Sequence, residues 1–119
     1  MKKTIIICAS AAHFKKVVEI QRILKKLGFI VKIPLTASKM KRNNNYDVSF
    51  YKTWFNNKND YKKKTFLVKN HFKKILKADA VLVINLEKNG IKGYIGGNTL
   101  MELAIAMHYK KPIFIYNNI

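Results

Sequence analysis

Cysteine is nearly absent from this chain. The single thiol, Cys8, excludes an intramolecular disulfide and offers no cluster of soft metal ligands. Set in an apolar run, it reads as a small core residue. No apolar stretch approaches the roughly 20 residues that cross a bilayer as a helix, so no membrane span is expected. Acidic residues are few, six Asp and Glu against 24 Lys and Arg. Arginine occurs only at Arg22 and Arg42. Bidentate base readout leans on Arg, which disfavours sequence-specific DNA recognition. The Walker motif, G-x-G-x-x-G and G-x-S-x-G are missing. His13, His71 and His108 fall on separate elements with no Cys or Asp cluster beside them, so neither a metal site nor a cofactor is predicted.

What is present is a strongly basic chain of 119 residues with a net charge of +18, 49 % of it hydrophobic. That apolar content argues against disorder, and the length is that of a single domain, 1–119, with a real core. The charge predicts nonspecific affinity for polyanions, nucleic acid among them, at low salt. The opening MKKTIIICASAA has the basic, apolar and small-residue order of a signal peptide. Its apolar part is short and an amphipathic helix follows, so it is read as a first strand, and a cytoplasmic protein is expected.

Residues 4–9 form a continuous apolar run, the pattern of a strand buried on both faces. An amphipathic segment reaches Leu27, with Val17, Ile20, Leu24 and Leu27 on one face and Gly28 as its stop. A second strand is predicted at 29–33, closed by Pro34. Further on come a helix at 65–77 (Val68, Phe72, Ile75 and Leu76 inward), a strand at 80–84, a helix at 99–109 and a strand at 112–116. Strand, helix and strand joined by short connections build parallel sheets. The expected fold is therefore α/β, a doubly wound, flavodoxin- or Rossmann-like parallel sheet of four to five strands in three α/β/α layers.

Residues 35–64 look like the least regular part, a basic and aromatic insertion. Lysines and asparagines alternate there with Tyr46, Phe50, Tyr51, Trp54, Phe55 and Tyr61. Such a segment can grip single-stranded nucleic acid through phosphate attraction and base stacking. A lid or a subunit contact, with the aromatics packed down, is the preferred reading.

The stretch 90–105, GIKGYIGGNTLMELAI, organises the rest. A glycine-rich loop turns into a helical pattern with Leu100, Leu103, Ala104 and Met107 at i, i+3, i+4 and i+7. Gly96 and Gly97 allow tight or left-handed geometry and close approach to the main chain. Asn98 or Thr99 is the expected helix cap, and the backbone N–H groups behind it can receive an anion. Glu102 then falls in the first helical turn. Thr99-x-x-Glu102 matches a capping box, yet an ionised carboxylate at a cleft is also a candidate nucleophile. Spacing leaves both open. In a doubly wound sheet, Ser10 after the first strand, Asn85 at the end of the third, and Gly96, Gly97, Asn98 and Glu102 should converge on one edge.

From KADAVLVIN through YIGGNTLMELAIAMHYKKPIFI, the chain resembles the nucleoside 2-deoxyribosyltransferase-like superfamily. The shared residues are Ala78-Asp79 at a helix end, an apolar strand, the glycine loop, a Glu early in a small-residue helix, and Lys111-Pro112 before another strand. His71-Phe72 and the run from Tyr94 to Thr99 are similar to an uncharacterised branch of that superfamily. The resemblance implies a nucleoside or nucleotide ligand, a homo-oligomer, and Glu102 as the nucleophile at C1′ of a deoxyribosyl group. It also implies that Gly96, Gly97, Asn98 and Thr99 border the sugar or its 5′ group, while Ser10 and Ala11 approach from the first strand. Where active members carry an Asp, eight residues before Asp79, this chain has His71, which fits an acid–base or orienting role. A catalytically silent nucleotide sensor and a polyanion-binding protein working through 35–64 are the alternatives.

Overall fold

The computed structural model describes residues 2–52 and 60–117. Four strands form one sheet: β1 (Thr4–Ala9), β2 (Ile30–Lys32), β3 (Ala80–Ile84) and β4 (Ile113–Ile115), in the order β2-β1-β3-β4 and all parallel. Among the described residues, five α-helices accompany them: α1 (Phe14–Lys26), α2 (Leu35–Asn43), α3 (Val48–Tyr51), α4 (Tyr61–Lys77) and α5 (Gly97–His108). A 3-10 turn, Ala11–His13, leads into α1. No helix among the described residues is long and apolar enough to cross a membrane.

Strand alternation divides the core into two layers. Ile7 and Ala9 of β1 and Ile84 of β3 pack with Phe14, Val17 and Ile20 of α1 and with Ala37 and Met40 of α2. On the other face, Ile6, Cys8, Val81 and Val83 pack with Ile75 of α4 and with Leu103 and Ala106 of α5. Helices on both faces of a parallel sheet make the expected three-layer α/β/α fold. The central pair is in register from Ile5 opposite Ala80 to Ala9 opposite Ile84. It is pinned at its base, where the Thr4 N–H donates to Asp79 Oδ2 (2.8 Å) and the Asp79 N–H donates to the Thr4 carbonyl (2.8 Å).

Gly28 stops α1 as expected. Its φ is +100°, and the Gly28 and Phe29 N–H groups donate back to the Lys25 and Leu24 carbonyls. Three expectations need correction. First, much of 35–64 is regular: α2 and α3 lie in it, and α4 begins at Tyr61 rather than at 65. The α2 helix was masked by its Lys, Asn and Ser content; only a narrow stripe, Thr36, Ala37 and Met40, is buried. Tyr51 is buried, its hydroxyl donating to the Asn45 carbonyl (2.9 Å), while Phe50 and Tyr61 are exposed. Trp54 and Phe55 lie outside the described residues.

Second, α5 begins at Gly97 with Gly96 as its N-cap, no side chain caps it, and Thr99 is its third residue. Neither Asn98 nor Thr99 is the cap, Glu102 lies beyond the first turn, and the capping box does not form. Gly96 and Gly97 are not left-handed either; among the glycines, positive φ occurs at Gly28, Gly90 and Gly93.

Third, the inward face of α5 is Thr99, Glu102, Leu103 and Ala106, whereas Leu100, Ala104 and Met107 face outward. Both sets have the same i, i+3, i+4, i+7 spacing. They differ by one residue of phase, and the observed phase turns a carboxylate inward.

Candidate active site

The chain leaves β1 toward β2 on one side and returns from β3 to β4 on the other. Ligands of doubly wound sheets bind at the carboxyl ends of the strands at such a reversal. A cavity of about 220 Å³ opens there. The end of β1 lines it with Ala9, Ser10 and Ala11, and α5 with its lead-in supplies Gly96, Gly97, Asn98, Thr99 and Glu102. From α4 come His71 and Phe72, and from the start of α2, Pro34 and Thr36.

A polar contact in this cavity joins the two helices on the same face of the sheet. His71 Nε2 lies 2.8 Å from Glu102 Oε2, with both side chains largely buried. On α4, His71 and Ile75 are one turn apart and point the same way, so packing of Ile75 on the sheet carries His71 inward. On α5, Leu103 and Ala106 do the same for Glu102. Burying a carboxylate without a partner costs several kcal/mol even after relaxation; the imidazole offsets that cost.

Cys8 completes the cluster, its Sγ 3.4 Å from His71 Nε2. Burial, reinforced by the Glu102 charge, pushes the Cys8 thiol well above its ordinary value, so it stays protonated at neutral pH.

No family model and no curated protein matches the chain. A solved structure does: the 2-deoxyribosyltransferase of the psychrotolerant bacterium Bacillus psychrosaccharolyticus, described as a biocatalyst for the synthesis of antiviral and antitumoral nucleosides. It superposes with a TM-score of 0.63 over 98 % of this chain and 76 % of that one, at 22 % sequence identity. This chain has the nucleoside 2-deoxyribosyltransferase-like fold.

Within that fold, one expected site residue lies elsewhere. Asn85 is fully buried and is not among the residues lining the cavity. Its Nδ2 donates to the Asn117 carbonyl (2.9 Å), its Oδ1 accepts from the Asn117 N–H (2.8 Å), and its carbonyl accepts from Asn117 Nδ2 (3.2 Å). The side chain therefore fastens the segment after β4 to the end of β3. His13 packs edge-on against Tyr94, with ring centroids 6.4 Å apart. Neither of its buried ring nitrogens has a hydrogen-bond partner among the described residues.

Sequence reasoning also kept Cys8 apart from any cluster of ligands. In this fold, Cys8, His71 and Glu102 bring a sulfur, a nitrogen and an oxygen within 4.8 Å of one another, a donor set that zinc accepts. One feature weighs against ligation: His71 Nδ1 has no partner among the described residues, whereas ligating histidines ordinarily donate that second N–H. Alternation along β1 was the available signal: Cys8 shares a face with Ile6, the face that α4 and α5 cover.

Among the described residues, three lysines also line the cavity, Lys52 after α3, Lys64 on α4 and Lys88 after β3. Lys88 Nζ donates to Ser10 Oγ (3.3 Å) and stands 5.0 Å from the centroid of the Tyr94 ring. Burial lowers the Lys52 pKa, and the charges of Lys88 and Lys64 lower it further; Glu102 acts weakly the other way.

Proposed function

We propose that this protein cleaves the N-glycosidic bond of a deoxynucleoside or deoxynucleotide, with Glu102 as the nucleophile. The observation that supports it is a buried carboxylate lining the cavity at the sheet's reversal point, one oxygen held by His71 at 2.8 Å. Structural likeness to a 2-deoxyribosyltransferase supports the choice of chemistry. In the first step an oxygen of Glu102 bonds to C1′ as the C1′–N bond breaks. The bonding pair leaves with the base, which takes up a proton from solvent. Water then attacks C1′ and gives up a proton, freeing the sugar and restoring the carboxylate; attack by a nitrogen of a second base would make the same protein a transferase.

In this reading His71 orients Glu102, and Ser10 and Ala11 approach the ligand from β1. Gly96, Gly97, Asn98 and Thr99 border the sugar. Asn85 is assigned to holding the segment after β4. A homo-oligomer belongs to the same reading, and sedimentation velocity tests it.

Chromatographic detection of free base decides the chemistry. Wild-type protein incubated with deoxynucleosides and their 5′-monophosphates should release base, and Glu102→Gln should not. If wild-type protein releases none, the glycosidic reading is wrong. His71, standing where active members of the resembled superfamily carry Asp, then favours a nucleotide sensor on the same cavity. Ligand would raise stability by RT ln(1 + [L]/Kd) without turnover.

A further inference from the structure

Charge is distributed unevenly around the cavity. Among the described residues, its lining holds three lysines and one carboxylate, Glu102, which His71 already engages. The lysines come from three separate parts of the chain. Most lysines of this basic chain stand in solvent, yet Lys52, Lys64 and Lys88 are each half-buried. Like charges gathered at a partly desolvated site repel one another, an arrangement that an anionic ligand relieves. The excess of two positive charges over the carboxylate matches a phosphate monoester, which carries about −1.5 to −2 near neutral pH.

The backbone beside these lysines favours the same class of ligand. The first intrahelical bond of α5 runs from the Leu100 N–H to the Gly96 carbonyl, so the Gly97, Asn98 and Thr99 N–H groups precede it. A Cβ built on Gly97 meets nothing within 4 Å, so that main chain can be approached closely. Ser10 Oγ, receiving the Lys88 ammonium, sets that charge at the end of β1. The Lys88 backbone is itself anchored, exchanging hydrogen bonds with Ile91 (3.1 and 3.0 Å).

We propose that the ligand of this cavity is a nucleoside 5′-monophosphate rather than a free nucleoside, its phosphate bound by Lys52, Lys64 and Lys88 beside the first turn of α5. This rests on the glycosidic reading for the sugar and base, and adds the phosphate to it. The lowered Lys52 pKa is consistent: a bound dianion would favour the ammonium form against the burial and the Lys88 and Lys64 charges that disfavour it.

Binding is measured by calorimetry on Glu102→Gln protein, which separates affinity from turnover. The titrants are deoxynucleosides, their 5′-monophosphates and inorganic phosphate. Thermal unfolding of wild-type protein with the same compounds covers the case in which that variant folds poorly. Monophosphates should bind at least about tenfold more tightly than the matching nucleosides. Lys52→Ala and Lys88→Ala should each remove most of that preference. Lys77→Ala, an exposed lysine at the end of α4, should change nothing.

Equal affinity for nucleoside and monophosphate, or an equal loss in Lys77→Ala, overturns the proposal. So does the absence of any binding. Inorganic phosphate binding as tightly as the monophosphates also overturns it, since the cavity would then be a phosphate site without a nucleoside part. Base release from nucleosides and monophosphates alike would sustain the glycosidic reading and sink this one. Lysine-dependent preference for monophosphates without base release would do the reverse.

Discussion

His71 on α4 and Glu102 on α5 meet through Nε2 and Oε2 at 2.8 Å, 31 positions apart in sequence and on neighbouring helices of one face. The contact is structural as well as chemical, because removing either partner strands the other. His71→Ala should cost about 1–3 kcal/mol of stability, the usual loss when a buried polar group is left unpaired. Urea unfolding measures it. In a double-mutant cycle with Glu102→Gln the two losses should be non-additive; strict additivity would mean that the pair is not coupled.

The thiol at Cys8 predicts an alkaline limit to stability. Its folded-state pKa is raised, chiefly by burial, so as pH rises past about 8.5 the unfolded chain ionises first. The unfolded state then binds fewer protons than the native state, and stability falls with rising pH. Below that range the contribution is fully present. Cys8→Ala should show a flatter decline between about pH 8 and 10 in urea unfolding; parallel curves for the two proteins would refute the assignment.

The phase of α5 is open to a direct test. Leu103 is nearly buried while Leu100 is 61 % exposed, although hydropathy alone treats them as equals. Leu103→Ala should cost about 2–5 kcal/mol, and Leu100→Lys should stay within about 0.5 kcal/mol. Comparable losses at both positions would restore the phase read from apolar spacing.

Asn85 and Asn117 supply the fourth test. Asn85→Ala removes two side-chain bonds to the Asn117 backbone and should lower stability by about 1–3 kcal/mol. Nucleotide affinity should hold within about twofold, because Asn85 does not line the cavity. A large loss of affinity with unchanged stability would return Asn85 to the ligand.

Legibility in the sequence followed burial of continuous apolar runs. Strands at 4–9 and 80–84 were read at their observed limits, since TIIICA and AVLVI have no competing pattern. The stop at Gly28 was equally plain, because a left-handed residue after a helix calls for glycine. Helix α2 was hidden by its polar composition, its contact with the core being only a few small or flexible side chains. Of the expected site residues, Ser10, Ala11, His71, Gly96 to Thr99 and Glu102 line one cavity and Asn85 does not. The amide is diverted because the segment after β4 needs partners for its backbone.

Apolar spacing and turn residues were thus sufficient for the layer order of this protein, for its parallel sheet and for the edge at which the cavity opens. They could not set the rotation of α5, because two phases one residue apart have the same periodicity, and the one with more apolar side chains is the wrong one. The observed phase depends on His71, a residue distant in sequence whose imidazole makes an inward Glu102 tolerable. The gathering of Lys52, Lys64 and Lys88 around the same cavity likewise depends on three separate segments meeting in space. Local propensity acts along the chain; the desolvation and pairing of charge act across it.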